Sequence, residues 1–453
     1  MGSASPPINV AIIGGGIGGL ALAAGLSKKP HLTVHVYEGV PEYKDVGAGL
    51  ALHKNAIGAM SLLGPEVRKA YFDKAINIGE DEDDEMATEV ILAHGPHTGQ
   101  LVAELGRAKG RKSVSRADLL AGFLDLIPKQ NISFGKKLAL IEETDPSTPN
   151  PKVHLTFQDG TKVQSDCVLG ADGIHSMVRS HLLGSDHPAT LPKNHDNWQV
   201  FRTLVSTSEA ITTHGINPRW AKTVPIMTGP QGHINVIPLN KGTRLSAGVA
   251  VRGLSTPSSS SSPNPTLDPT LYSTYHPQAL SLVQMIASPS TPSTTWSIGD
   301  HDHAPFYHKS RIAILGDAAH ASLPFAGNGA AQALEDAAVL DHLFSRVKSP
   351  SQIKAALAAY DAVRRKRSQE VVELSRRFGR VYAHCSDGEI YGDGEERSDT
   401  PLVEDPERLR EFFAKAAAFT NNFDLKKQND EAMEVYEGLV RGRSRSCGQG
   451  PGN

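Results

Sequence analysis

Apolar runs that break abruptly into glycine recur along this chain, each followed by small apolar residues at helical spacing. The first is Val10 to Ile13, then Gly14-Gly15-Gly16, then Ile17 to Leu26, which reads as buried strand, glycine turn and helix. A second strand, His31 to Tyr37, ends at Glu38. The strand–turn–helix pattern returns at Ser165 to Arg179 and again from Arg311 through Ala331, with Asp172 and Asp317 in the turns. Between them, residues 198–252 form runs of strands without intervening helices, the mark of an antiparallel layer separate from the βαβ part.

The same pattern predicts hairpins at Val90–Leu92 with Leu101–Leu105, and at 152–164 turning on Asp159-Gly160. A helix starts after Ser115, its expected N-cap, and others follow from Gln332 to Arg346, onward to Tyr382, and over 404–440. Arg364-Arg365-Lys366-Arg367 lies inside the helical pattern and reads as a solvated face, as the acidic run 80–85 reads as a solvated loop. The Ser/Pro-rich stretch 255–270 is expected to be a flexible loop, and 441–453 a disordered tail.

With 453 residues the chain has room for two or three domains. A net charge of −3 gives no electrostatic case for nucleic acid. Cys167, Cys385 and Cys447 lie far apart and make neither a disulfide framework nor a C-x-x-C site. No targeting segment or apolar stretch of membrane-spanning length is visible, so a reducing, cytoplasmic setting is expected. The 19 histidines show no ligand-spaced cluster, so no metal is expected.

Gly14, Gly16 and Gly19 fit G-x-G-x-x-G: the first turns the chain, the second lets backbone approach a pyrophosphate, the third packs helix on strand. The helix N-terminus that follows favours phosphate. Glu38 stands about 20 residues on, where a carboxylate accepts from a ribose hydroxyl, so the fingerprint suits NAD and FAD alike. Arg116, opening its helix, suits a phosphate or flavin edge, or is a plain surface arginine. Asp172 and Asp317, taken singly, read as helix N-caps.

Taken together, the fingerprint, the G-A-D-G segment (Gly170 to Arg179) and the G-D segment with A-H-x-x-x-P (Gly316 to Pro324) resemble the single-component flavoprotein aromatic hydroxylases, salicylate-hydroxylase type, from Asn9 to about Tyr382. The resemblance implies an α/β fold: a Rossmann-like FAD-binding βαβ domain (1–75, 110–185 and 301–382), a mixed or antiparallel substrate sheet (76–109 and 186–300), and C-terminal helices (383–440). It implies that Gly14, Gly16, Gly19 and Glu38 hold FAD, with Gly49, Ala51, Arg116, Asp172, Gly316 and Asp317 beside it. The N–H groups of Gly329 and Ala330 would face the flavin pyrimidine, and Pro324 and Phe325 would wall the pocket.

The implied reaction is reduction of FAD by NADH or NADPH, formation of a flavin C4a-hydroperoxide from O2, and oxygen transfer to a small aromatic substrate, in a monomer or homodimer. Arg202 is the candidate to hold a phenolate or carboxylate, with a structural ion pair as its alternative. The strand 232–238 lacks the tyrosine that some relatives use, and His233 is its candidate replacement as base or hydrogen-bond donor, or a structural histidine. Epoxidation of a terpenoid or alkaloid precursor, and an FAD-linked dehydrogenase or reductase that does not use O2, are the alternatives.

Overall fold

The computed structural model describes residues 6–43, 49–74, 85–109, 113–145, 147–148, 150–240, 242–254, 265–392 and 400–446. The acidic run 80–84, Gly47, most of the Ser/Pro stretch and Cys447 lie outside them.

Two sheets dominate. The first has six strands in the order His308–Lys309, Ile312–Ile314, Cys167–Gly170, Ile8–Ile13, Leu32–Tyr37 and Ile132–Ser133, parallel except at the His308–Lys309 edge. Its central strand, Ile8–Ile13, is buried at nearly every position, because the helix Ile17–Leu26 packs against it and a small three-stranded sheet, Leu138–Glu143, Val153–Phe157 and Lys162–Ser165, shares the same core. The helix Ile17–Leu26 is buried all round, wedged against the helix Gly329–Phe344.

The second sheet has seven strands in the order Ser293–Ser297, Gln199–Ser206, Arg244–Val251, Gly232–Leu239, Val224–Gly229, Glu85–Leu92 and Leu101–Lys109. All neighbours are antiparallel except Val224–Gly229 with Glu85–Leu92, so the sheet is mixed. Side chains alternate across it. Phe201, Ile234, Val236, Ala247 and Val249 pack with the helix Pro277–Ala287, while Val200, Arg202, His233, Asn235, Ile237 and Ala250 turn to the other face, toward the first sheet. At Gly49, a Cβ would stand 2.8 Å from Ile237 Cγ2, so glycine is what lets the short strand Gly49–Ala51 meet the second sheet.

The 30-residue helix Ile353–Tyr382 runs along both sheets, followed by the helices Asp387–Tyr391, Pro406–Asn421 and Leu425–Ser446. Two expectations need correcting here. The last helix continues to Ser446, past the point where a disordered tail was expected at 441. The basic run 364–367 is not a solvated face: Arg364 is fully buried and Arg367 nearly so, while only Arg365 and Lys366 turn outward. Their burial is offset by carboxylates from the helix Gly329–Phe344. Arg364 Nε donates to Asp336 Oδ1 (2.7 Å) and Nη1 to Glu335 Oε2 (2.6 Å), and Arg367 makes two bonds to Glu335 (2.7 and 2.9 Å).

Candidate active site

A cavity of about 940 Å³ lies between the two sheets, near the upper end of what ligand sites span. Its lining brings together Gly14, Gly16, Gly19, Glu38, Gly49, Ala51, Arg116, Asp172, Arg202, His233, Gly316, Asp317, Pro324, Phe325, Gly329 and Ala330, residues drawn from all three turns and from the second sheet.

The glycine turn is built as its spacing demands. Gly14 has φ +102° and presses on the Ala171 carbonyl, and a side chain at Gly19 would collide with the Gly14 carbonyl. At Gly16 the opposite holds: a Cβ there would meet nothing within 4 Å, because that edge of the turn borders the cavity. Gly16 is also the N-cap of the next helix and offers no side-chain cap, so the first N–H groups of the helix are left for a ligand. Glu38 accepts from the N–H groups of Gly15 (2.5 Å) and Val40 (2.8 Å) while lining the cavity. This open cradle, followed by a carboxylate, fits the pyrophosphate and ribose of a dinucleotide.

Arg116 follows its N-cap Ser115, is exposed to the cavity, and makes no ion pair among the described residues. Asp172 lines the wall, but its carboxylate is engaged: it takes the Ser176 hydroxyl (2.5 Å) and the N–H groups of Met177 (2.8 Å) and Val178 (3.1 Å), capping the helix Met177–Leu183. Asp317 opens the short helix Asp317–His320 with its side chain exposed to the cavity. The surrounding protein raises its pKa, against the pull of His320, Arg116 and Arg179. Gly316, at φ +58° and ψ −143°, sets the turn, and its N–H donates to Asp336 (2.8 Å), which also takes His320 Nε2 (2.6 Å). The helix Gly329–Phe344 has no side-chain cap from Asn328, so the N–H groups of Gly329 and Ala330 stand at the cavity edge with the positive end of the helix dipole.

On the second sheet, Arg202 faces the cavity with no carboxylate partner among the described residues. Its Nε is buried without a hydrogen bond, and its guanidinium lies 5.7 Å from the Trp296 ring centre. Desolvation lowers its pKa. His233, fully buried, is pushed down to about 3 by burial and then by Arg202, so the imidazole is neutral at ordinary pH. That makes it a poor base and leaves it a hydrogen-bonding group, with Nδ1 unpartnered. Phe325 stands edge-on to His233 (5.2 Å) and against Trp198 (4.5 Å), closing an apolar wall.

The sequence reading missed several residues. Tyr382, the last residue of the long helix, lies 5.2 Å from His233 and lines the cavity with its hydroxyl buried and without a partner among the described residues, although the strand itself carries no tyrosine. Burial raises its pKa. The pairs Glu335/Asp336 and Arg364/Arg367 were also missed, and the available signal was two adjacent acids inside the apolar run Ala333 to Leu340.

Comparison with known proteins supplies the family. A family model described as FAD binding domain matches residues 126–375. The chain is 35% identical to 6-methylsalicylate 1-monooxygenase of Aspergillus terreus, over 96% of this chain and 94% of that protein. It is 30% identical to a salicylate hydroxylase of Pseudomonas putida, over 83% and 86%. Among solved structures, a salicylate hydroxylase substrate complex superposes with a TM-score of 0.77 at 29% identity, covering 95% of this chain and 98% of that one.

Proposed function

We propose a reaction for this chain, which belongs to the salicylate-hydroxylase-like, FAD-dependent aromatic monooxygenases: it inserts one atom of O2 into a small phenolic or hydroxybenzoate-type ring, with NADH or NADPH as electron donor. Bound in the cavity, FAD would supply the redox chemistry, carrying electrons from the nicotinamide to O2 so that one oxygen enters the ring and the other leaves as water.

The chain's own residues prepare that step. Gly14, Gly16, Gly19 and the helix behind them take the pyrophosphate, Glu38 the ribose, and Asp317 with Arg116 the middle of the cofactor. The free N–H groups at Gly329 and Ala330 favour negative charge at the pyrimidine end. Arg202 attracts the anionic group of the substrate, a carboxylate or a phenolate. His233 serves as a neutral hydrogen-bonding group, and Phe325 and Pro324 exclude water from the reacting face.

The observation that carries this reading is Arg202: a desolvated guanidinium without a carboxylate partner among the described residues, facing a cavity that also contains an open dinucleotide cradle. A buried cation is costly unless something pairs with it, and here the partner is the substrate. The test is NAD(P)H oxidation stimulated by 2-hydroxybenzoate or a related phenol under ¹⁸O2. One labelled oxygen in the product supports the reading; turnover that proceeds equally without O2 overturns it in favour of a dehydrogenase.

A further inference from the structure

Gly248 sits in the middle of the strand Arg244–Val251, and its φ falls outside the positive range that would call for glycine. Glycine there weakens a strand, so its place needs another reason, and close approach of a ligand is one. In register, Gly248 is directly opposite Arg202 on one side and Asn235 on the other. The three therefore form one row across the sheet, on the face turned to the cavity, and both Arg202 and Asn235 line it. A Cβ on Gly248 would stand 2.9 Å from Asn235 Oδ1 and 3.6 Å from Arg202 Nε. The missing side chain is what lets the amide and the guanidinium share that space. The Asn235 side chain, like Arg202, makes no hydrogen bond to another described residue, so a donor–acceptor pair is left pointing at one small gap.

We propose that Asn235 and Gly248 are specificity-determining residues: Arg202 takes the anionic oxygen of the substrate, Asn235 Oδ1 accepts the proton of a hydroxyl on the adjacent ring carbon, and Gly248 keeps the gap that admits both. This rests on the proposed aromatic hydroxylation and assigns how that site selects among aromatic acids. The guanidinium alone suits any carboxylate. The amide beside it rewards only rings with two neighbouring oxygen substituents, because a ring lacking the hydroxyl leaves Asn235 desolvated and unpaired.

The test uses the oxidised, FAD-loaded enzyme and follows the change in flavin absorbance on titration with 2-hydroxybenzoate and with benzoate, so that it reads binding and not turnover. Wild type is expected to bind 2-hydroxybenzoate at least tenfold more tightly than benzoate. N235A should bring the two within threefold, and G248A should reduce the preference at least threefold. N235D, which sets a carboxylate beside Arg202, should weaken both ligands at least tenfold. The FAD dissociation constant, measured by titrating apoprotein, should stay within twofold in all three; where one variant loses FAD, the other two carry the test. A preference unchanged in N235A and G248A overturns the assignment while leaving aromatic hydroxylation standing. A wild type that binds neither ligand, with no aromatic acid stimulating NAD(P)H oxidation, overturns both.

Discussion

Two sets of charges in this molecule, one buried and one lining the cavity, differ in where their partners come from. Glu335, Asp336, Arg364, Arg367 and His320 are packed out of water and joined to one another by bonds of 2.6 to 2.9 Å. Arg202, Arg116 and Asp317, which line the cavity, have no ion-pair partner among the described residues. The first set satisfies itself and therefore fixes shape: through Asp336 it holds the Gly316 N–H, and through Glu335 it reaches Asn55 (2.8 Å) and Asn328 beyond it (Asn55 to Asn328, 3.0 Å). The second set is completed only by something that enters. Charges used for architecture are distinguished from charges used for binding by whether the chain supplies the partner, and here the self-satisfied set is also the more deeply buried.

Removing a partner from the satisfied set should give the largest effect. Arg364→Met leaves Glu335 and Asp336 with less compensation in a dry interior and is expected to cost about 3–5 kcal/mol, read as a lower urea midpoint at unchanged slope. Asp317→Ala, in the open set, should leave the urea midpoint of the apoprotein unchanged or slightly higher. It should weaken FAD by a factor of roughly ten to one hundred, as loss of about 1.5–3 kcal/mol of charged hydrogen bonding predicts, measured by fluorescence quenching on titration.

The next effect is set by pH. His233, His301 and His384 are held by burial at about 3, about 4 and about 4 respectively, against 6.5 when unfolded. Below pH 6.5 the unfolded chain takes up protons that the folded chain refuses, so stability is full above that pH and falls as pH drops toward 4. A thermal melt of the apoprotein across pH 7.5 to 4.5 checks this, and His233→Gln should flatten the slope. A bound aromatic carboxylate offsets Arg202 and should raise the pKa of His233, narrowing the same window.

The smallest effect sharpens the contrast most. Arg202→Met should change the stability of the apoprotein by less than about 1 kcal/mol, or raise it, because no partner is orphaned and an unpaired cation is removed. Aromatic acid binding should fall by an order of magnitude in the same variant. A large loss of stability there would mean that Arg202 belongs to the architecture after all.

How much of this was legible in the residues follows from the same distinction. The glycine turn could be read because its constraints are local: Gly14 needs a positive φ, Gly19 a missing side chain against the carbonyl five residues earlier, Gly16 an open edge. Ser115 as an N-cap was equally local, its hydroxyl accepting from the Asp118 N–H at 3.0 Å. The segment around Arg202 could be read as a strand, though nothing in it showed which face would be dry. Arg364 and Arg367 were misread because a basic run in a helix looks solvated until its acids are found on another helix. Asn235 and Gly248 gained meaning only from register, which pairs residues from three strands that no spacing rule connects. Tyr382 reaches His233 by the same kind of tertiary approach.

The interleaving of the two sheets bears on how the chain is made. Strand Ile8–Ile13 pairs with Cys167–Gly170, whose outer neighbour is Ile312–Ile314, while the second sheet is drawn from 85–109, 199–251 and 293–297. A ribosome releasing this polypeptide exposes the strand Ile8–Ile13 long before Cys167–Gly170, which pairs with it, and longer still before Ile312–Ile314, which completes the parallel set. The second sheet is complete only once Ser297 has emerged and the first only once Ile314 has, so chaperone demand before that point should be high, and a split into separately expressed pieces anywhere between residues 14 and 311 should fail because it divides the first sheet.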